Sequence, residues 1–413
     1  MVHWSFLLFI FTIPFESADL NFTSESLALS KIAGLIFIAS YFFHHNALFL
    51  HKNRGRSPAR PPQAMWWFLG YLVIYVFNGF FISADVMSSF VGRCLTLVQL
   101  FVFFWVASRL LEEERLTRTV LLVFSLATAL LAIGMLLSLP GFSQTVVNRV
   151  GERSTALGQN ANVLATLMAP AAVILIGLAL SATFKQLATK IMLAALAMPV
   201  LAASVSTGSR AGIAAFMIGC VTYLLPLARS KHRMTTVALV VCAITALLWF
   251  VVHSPTAFTR WKMTFEEGHV SGRETIFSSA SDMFMEKPLL GWRPYEFQVE
   301  LGRRVGILFG QRDAHNLYLH LLLEVGTVGA IPFFIGLWSC GRTAWRARNS
   351  HFGLLPLALL LTILAASMSG TGLARKPLWL VLAFAAAARA TVPVRRRPKP
   401  AMFMMPRSPR GRA

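Results

Sequence analysis

The stretch QRDAHNLYLHLLLEVGTVGA, residues 311–330, decides how the rest of the chain is read. From Leu317 onward it is apolar enough to enter a bilayer, yet Arg312, Asp313, His315 and Asn316 crowd its start. Ionisable groups at the mouth of a membrane segment are costly, and they mark function by default. The plainer reading is an interfacial anchor that meets lipid headgroups.

The same apolar character runs through the 413 residues, of which 56% are hydrophobic and 13% charged. A soluble chain of this length could hardly hide so much apolar surface. A helix needs ~20 apolar residues to cross the hydrocarbon core. About twelve stretches qualify by that measure, near 2–15, 27–44, 64–82, 86–107, 119–139, 160–180, 191–207, 211–227, 235–253, 315–340, 352–368 and 376–390. The first could pass for a signal peptide. No Lys or Arg precedes its apolar run, and its exit PFESADL is a poor cleavage site, so it reads as a retained span. The expected fold is all-α, a polytopic bundle of about twelve transmembrane helices with short interfacial helices in one long loop.

A net charge of +21 invites a nucleic-acid partner, but the basic residues sit in short clusters between apolar runs, so that class is excluded. The clusters instead orient the bundle. Lys and Arg gather at 44–63, 108–118, 229–233, 341–350 and 389–413, whereas ESADLNFTSES (16–26) has three acids and no base. Both termini are therefore expected in the cytoplasm. Nine spans fill 1–253, a large outer loop covers 254–314, three spans fill 315–390, and 391–413 is a Pro- and Arg-rich tail expected to lie disordered near anionic headgroups. Cys94, Cys220, Cys242 and Cys340 fall within or beside apolar runs without paired or metal-ligand spacing.

Three features of the expected outer face carry chemistry. In SVSTGSRAGIAAF, Arg210 follows a Ser/Thr/Gly turn where Ser209 can cap the next helix, and an arginine near a helix N-terminus makes an anion site. In the loop, apolar residues at 276, 277, 280, 283 and 284 suit an amphipathic helix lying on the membrane. Ser271 and Glu274 have capping-box spacing, which puts Arg273 in the first turn, where a cation opposes the macrodipole unless an anion sits nearby. At the third feature, His315 can take or give a proton near neutral pH and Asp313 is placed to orient it. Asn316 can bond a sugar or phosphate oxygen, and Arg303, Arg304 and Arg312 supply further positive charge to hold a substrate. His320 and Glu324, four apart, read as a structural polar pair deeper in the helix. Arg93 and Arg375 are further ionisable residues within or beside the apolar runs.

Together these suit an anionic headgroup whose tail lies in lipid, such as a lipid diphosphate. Arginines would grip the diphosphate and steady it as a leaving group while a histidine accepts the proton of an attacking hydroxyl. No residue grouping has metal-ligand spacing, and neither a GxxxxGK[ST] loop nor a DxD-like pair is present, so the chemistry is expected to need no metal, nucleotide or other cofactor.

Three blocks, TGSRAG (207–212), SGRETIF…A…MFMEKPLLGW (271–292) and AHNLYLHLLLEVGTVG (314–329), resemble the O-antigen ligase and polymerase superfamily of bacterial envelope enzymes, in that family's order. STALGQNANVLATLMAPAAV (154–173) is also similar to the family's lead-in to a middle helix. The resemblance covers roughly 150–330. It implies a polytopic glycosyltransferase of the bacterial inner membrane, working at the periplasmic face. Its donor would be an undecaprenyl-diphosphate-linked glycan, with Arg210 and Arg273 as diphosphate binders and His315 as the catalytic residue. The acceptor would be lipid A core for a ligase or a growing polysaccharide for a polymerase, and no motif separates the two. GWRPYEF departs from the pattern by carrying Arg293 where the family more often has glycine, which implies a different bend at the loop exit. A polysaccharide or lipid-carrier transporter ranks lower, because the charges cluster at one face and no internal repeat is visible. A non-catalytic scaffold would tolerate loss of Arg210, Arg273 or His315.

Overall fold

The apolar stretches become helices because lipid leaves the backbone no other partner than itself. The computed structural model describes residues 1–16, 29–51, 61–148, 151–181, 184, 186–225, 233–267, 273–307 and 310–388. Ser271, most of the acidic stretch 16–26, most of RSKHR (229–233) and the tail 391–413 lie outside the described residues.

The helices run α1 (Val2–Thr12), α2 (Leu29–His51), α3 (Gln63–Gly79), α4 (Ala84–Leu110) and α5 (Glu114–Leu136). After the strands β1 (Gln144–Asn148) and β2 (Gly151–Thr155) come α6 (Ala161–Leu180), α7 (Leu187–Ser206), α8 (Arg210–Thr222) and α9 (Arg233–His253). Three short helices follow, α10 (Pro255–Glu267), α11 (Glu274–Glu286) and α12 (Glu296–Arg304), then α13 (Leu317–Arg346), α14 (Leu355–Ala366) and α15 (Lys376–Ala387).

Every expected span falls on a helix, and among the described residues six helices are long and apolar enough to cross a membrane by length and composition: α4, α5, α6, α7, α9 and α13. Of the about twelve expected crossings, six thus meet the length by themselves. Helices α1, α8, α14 and α15 are shorter, and α14 and α15 are almost wholly buried among their neighbours. The antiparallel hairpin β1–β2 is a second departure from an all-helical expectation. Its Thr145, Val146 and Val147 are β-branched and favour an extended chain.

The core is built around α6, which is buried along most of its length. Phe68 of α3 packs on Phe104, Phe333 and Trp379 from α4, α13 and α15, with ring centroids 5.2–5.6 Å apart. Helix α9 buries Val240, Ala243, Leu247 and Val251 at helical spacing and leaves Val241, Leu248, Trp249 and Val252 exposed, the pattern of a helix with lipid on its outer side.

A second small core lies under the loop. Ile276, Ala280 and Met283 of α11 are buried with Phe297 and Leu301 of α12 and Leu323 of α13. The apolar stripe of α11 therefore packs on protein, which corrects the expectation that it would lie on the membrane. The partner surface comes from α12 and α13, which its own periodicity cannot reveal.

Helix α13 is broken at Gly326 (φ 62°, ψ −169°), a conformation essentially reserved for glycine. The backbone groups freed by the break are taken up by the segment after α11. Trp292 N–H donates to Leu323 O at 2.6 Å, and Thr327 and Val328 N–H donate to Pro288 and Leu289 carbonyls at 2.9 and 3.1 Å. The loop exit also answers the question raised by Arg293. Its φ is 72°, so the arginine adopts the left-handed conformation that glycine takes readily, and the chain turns there despite the substitution.

Candidate active site at one end of the helix bundle

Arg210 begins α8. The turn before it folds because Gly208 takes φ 64°, while the Thr207 hydroxyl accepts from Ser209 N–H (3.2 Å) and Ser209 Oγ caps the helix at Gly212 N–H (3.4 Å). Gly212 lets α8 press against α6, since a Cβ there would stand 2.5 Å from Ala165 Cβ. The Arg210 guanidinium reaches α10, donating to the Thr264 hydroxyl and to Arg260 O (3.4 Å).

Arg153 of β2 is 8% exposed, and donates from Nε to Thr207 O (2.7 Å) and from Nη2 to Asn162 Oδ1 (2.9 Å). Burial, then the charges of Arg260, Arg273 and Arg210, pull it down to about 10. Arg260 and Arg273 are lowered likewise, first by burial and then by neighbouring arginines. Arg273 occupies the cap position of α11, not its first turn as expected, and donates to the Ser369 hydroxyl between α14 and α15. Arg312 has a buried Nε without a hydrogen-bond partner. Among the described residues, Arg153, Arg273, Arg312 and Arg375 form no carboxylate ion pair. Like charges brought this close, Arg153, Arg210, Arg260, Arg273 and Arg312, outnumber the acid beside them, Glu274, and make a site that favours an anion.

His315 stands beside this cluster. Its backbone takes φ 50°, uncommon for a side-chain-bearing residue and a frequent mark of functional sites. Burial lowers its pKa, with Arg273 and Arg312 acting in the same direction and Asp313 opposing them. The imidazole is thus held as a neutral base. Asp313 accepts the His315 backbone N–H at 3.3 Å, and its ring partner is His320, whose Nδ1 lies 3.3 Å from Oδ1. Its other oxygen accepts from the Thr371 hydroxyl. Burial alone would raise Asp313, but the hydrogen bond and charge of His320 hold its carboxyl below the usual range.

A cavity of about 180 Å³ opens beside His315 and Asp313, lined also by Asn160, Asn162, Thr166, Ser369, Thr371 and Arg375. Asn316 caps α13, its Oδ1 accepting from Tyr318 and Leu319 N–H at 2.9 and 3.2 Å, so that oxygen is not open to a sugar hydroxyl.

Arg303 and Arg304 do not join the cluster. Arg304 holds Glu286 through two N–H···O bonds of 2.7 and 2.8 Å and Glu300 at 2.8 Å, and its guanidinium lies 5.2 Å from the Trp292 ring centroid. Arg303 pairs with Glu300 at 2.9 Å. These pairs brace α12 against the end of α11. Arg304→Ala is accordingly expected to leave the activity proposed below within about twofold of wild type, the size of effect exposed ion pairs carry. A steady-state rate on the purified variant checks this.

Residues 193–334 match the family model described as O-Antigen ligase. Over this segment the chain is similar to that family. No curated protein matches the chain. The matched segment contains Arg210, Arg260, Arg273, Arg312 and His315. Arg153 and Asn162 before it, and Ser369, Thr371 and Arg375 after it, complete the site from outside that segment. Sequence reading missed Arg153, Arg260 and the part Arg375 plays. Arg153 does immediately precede STALGQNAN, a block already notable for its polar residues ahead of an apolar run.

Proposed function

We propose that this chain transfers a glycan from an undecaprenyl-diphosphate carrier to an acceptor hydroxyl at the periplasmic face of the bacterial inner membrane. The observation that carries the reading is the grouping of Arg210, Arg273, Arg312 and His315 at one bundle end, inside the segment that matches the O-antigen ligase family. Buried arginines suit a diphosphate and stabilise the negative charge that develops as it leaves. The acceptor oxygen attacks the anomeric carbon, the bond from that carbon to the diphosphate oxygen breaks, and the hydroxyl proton passes to the His315 imidazole. Carrier diphosphate leaves with the electron pair. Guanidinium groups stabilise the departing diphosphate, the part a metal ion would otherwise take.

The cavity beside His315 supports a place for the acceptor. The polar part of its lining is mainly hydroxyl and amide groups, which suit sugar hydroxyls, and the Asp313 carboxylate there offsets the charge of Arg375.

Arg273→Ala should lower transfer by about 10²-fold, the size typical of removing one transition-state donor. Release of carrier diphosphate from a labelled donor in nanodiscs measures it, and an unchanged rate rejects the assignment. The acceptor is decided by deleting the gene and analysing envelope glycans. Uncapped lipid A core with long carrier-linked chains means ligase, while single-repeat products mean polymerase.

A further inference from the structure

Below His315 the structure holds an acid–imidazole–acid chain that substrate binding does not explain. His320 and Glu324 of α13 are each 1% exposed. His320 Nδ1 meets Asp313 Oδ1 at 3.3 Å, while Nε2 faces Glu324 Oε1 at 3.5 Å without a hydrogen bond. Tyr71 of α3 donates to the other Glu324 oxygen at 3.4 Å, and Phe297 of α12 packs edge-on against the imidazole at 4.8 Å. The ring is thus fixed from three elements.

Burying such a chain is a poor route to stability, because apolar side chains of similar volume usually serve as well or better. What the chain does hold is Asp313. That carboxylate ties the His315 backbone N–H to the Thr371 hydroxyl of the segment between α14 and α15. His315 occupies a left-handed backbone conformation, which persists only when surrounding structure over-determines it.

We propose that His320 is a positioning residue: through Nδ1 it fixes Asp313, and Asp313 fixes the backbone and thereby the imidazole of His315 at the cavity. This rests on the glycan-transfer reading for its kinetic consequence. The titratable and charged groups that face the chain are Tyr71, Tyr75, Tyr295, Cys94 and Arg93 around its Glu324 end, and His315 and Arg375 around its Asp313 end.

Three substitutions separate positioning from mere packing. The amide nitrogen of Asn can take the place of Nδ1 and that of Gln the place of Nε2, while Phe fills the volume with neither. His320→Asn should transfer glycan within about threefold of wild type, whereas His320→Gln and His320→Phe should lose about 10²-fold in kcat, as a misplacement near 1 Å can cost. The KM for the donor lipid should stay within about twofold in all three, because the arginines that hold it are untouched. Should Asn and Gln fall equally, or should Phe keep the wild-type rate, the proposal is overturned. A rise in donor KM together with a lowered melting temperature in all three would also overturn it, in favour of packing alone.

A second readout does not depend on turnover. With carbon-13-labelled histidine in nanodiscs, the His315 resonance should titrate alike in wild type and His320→Asn and at a changed pH in His320→Phe. Identical titrations in all three would refute positioning. If the titration changes but the wild-type chain transfers no glycan, positioning stands and the glycan-transfer reading fails.

Discussion

His315→Ala is expected to lower glycan transfer by about 10²–10⁴-fold, the range that one general base supplies, while donor binding stays near wild type. The residue lines the cavity but is not among the arginines that would hold the diphosphate, so the loss should fall on kcat. The pH profile follows from the same surroundings. Burial, Arg273 and Arg312 all favour the neutral ring. A base with a lowered pKa is active above that pKa and fails as pH drops through it. The acid limb of kcat/KM should therefore lie below the ordinary histidine value of about 6.5. Arg312→Gln removes one of the charges that depress it, so the limb should move to higher pH. Rates measured across pH in both proteins test this, and an acid limb that stays put in Arg312→Gln would argue against His315 as the titrating group.

Gly326→Val should abolish the native arrangement of α13. A Cβ at this position would stand 2.1 Å from Leu289 O, a distance no rearrangement of side chains can relieve because the obstacle is backbone. The φ of 62° with ψ near −169° adds conformational strain of about 1–3 kcal/mol for any other residue. To escape the clash the segment 288–292 must leave the break, which strips partners from Thr327 and Val328 N–H in a region where water is scarce. The expected result is little monodisperse protein, or a large fall in melting temperature in detergent. A variant that purifies and melts like wild type would mean that the loop does not dock on the break.

Local signals were legible in the sequence and distant ones were not. The helices follow from runs of apolar residues, and the turn before Arg210 from Thr207, Gly208 and Ser209 acting on their own neighbours. Arg153 carries no such signal, since its guanidinium matters only once the hairpin brings it to Thr207, 54 positions away. Arg375 likewise gains meaning from the cavity that distant segments enclose. Arg303 and Arg304 could have been read better: Glu300 lies three and four residues before them on one helix, the spacing of a local ion pair. His320 as the ring partner of Asp313 was not foreseen, because the helix turn that presents His320 to it is shared with Glu324. For α11, periodicity revealed an apolar face but not what would cover it. Arg293 shows the opposite limit, where the fold keeps its turn although the residue type argues against it.

The break in α13 changes where its charged residues stand. Of the helix Leu317–Arg346, residues 327–346 after the break are twenty in number, about 30 Å at ~1.5 Å per residue, enough by themselves to match the hydrocarbon thickness. The preceding nine residues, 317–325, are then surplus to the crossing and can occupy the hydrated headgroup layer. On that division Asp313, His315, His320 and Glu324 all precede the twenty-residue segment, so the charge of the stretch 311–330 is no burden on the length needed for a crossing.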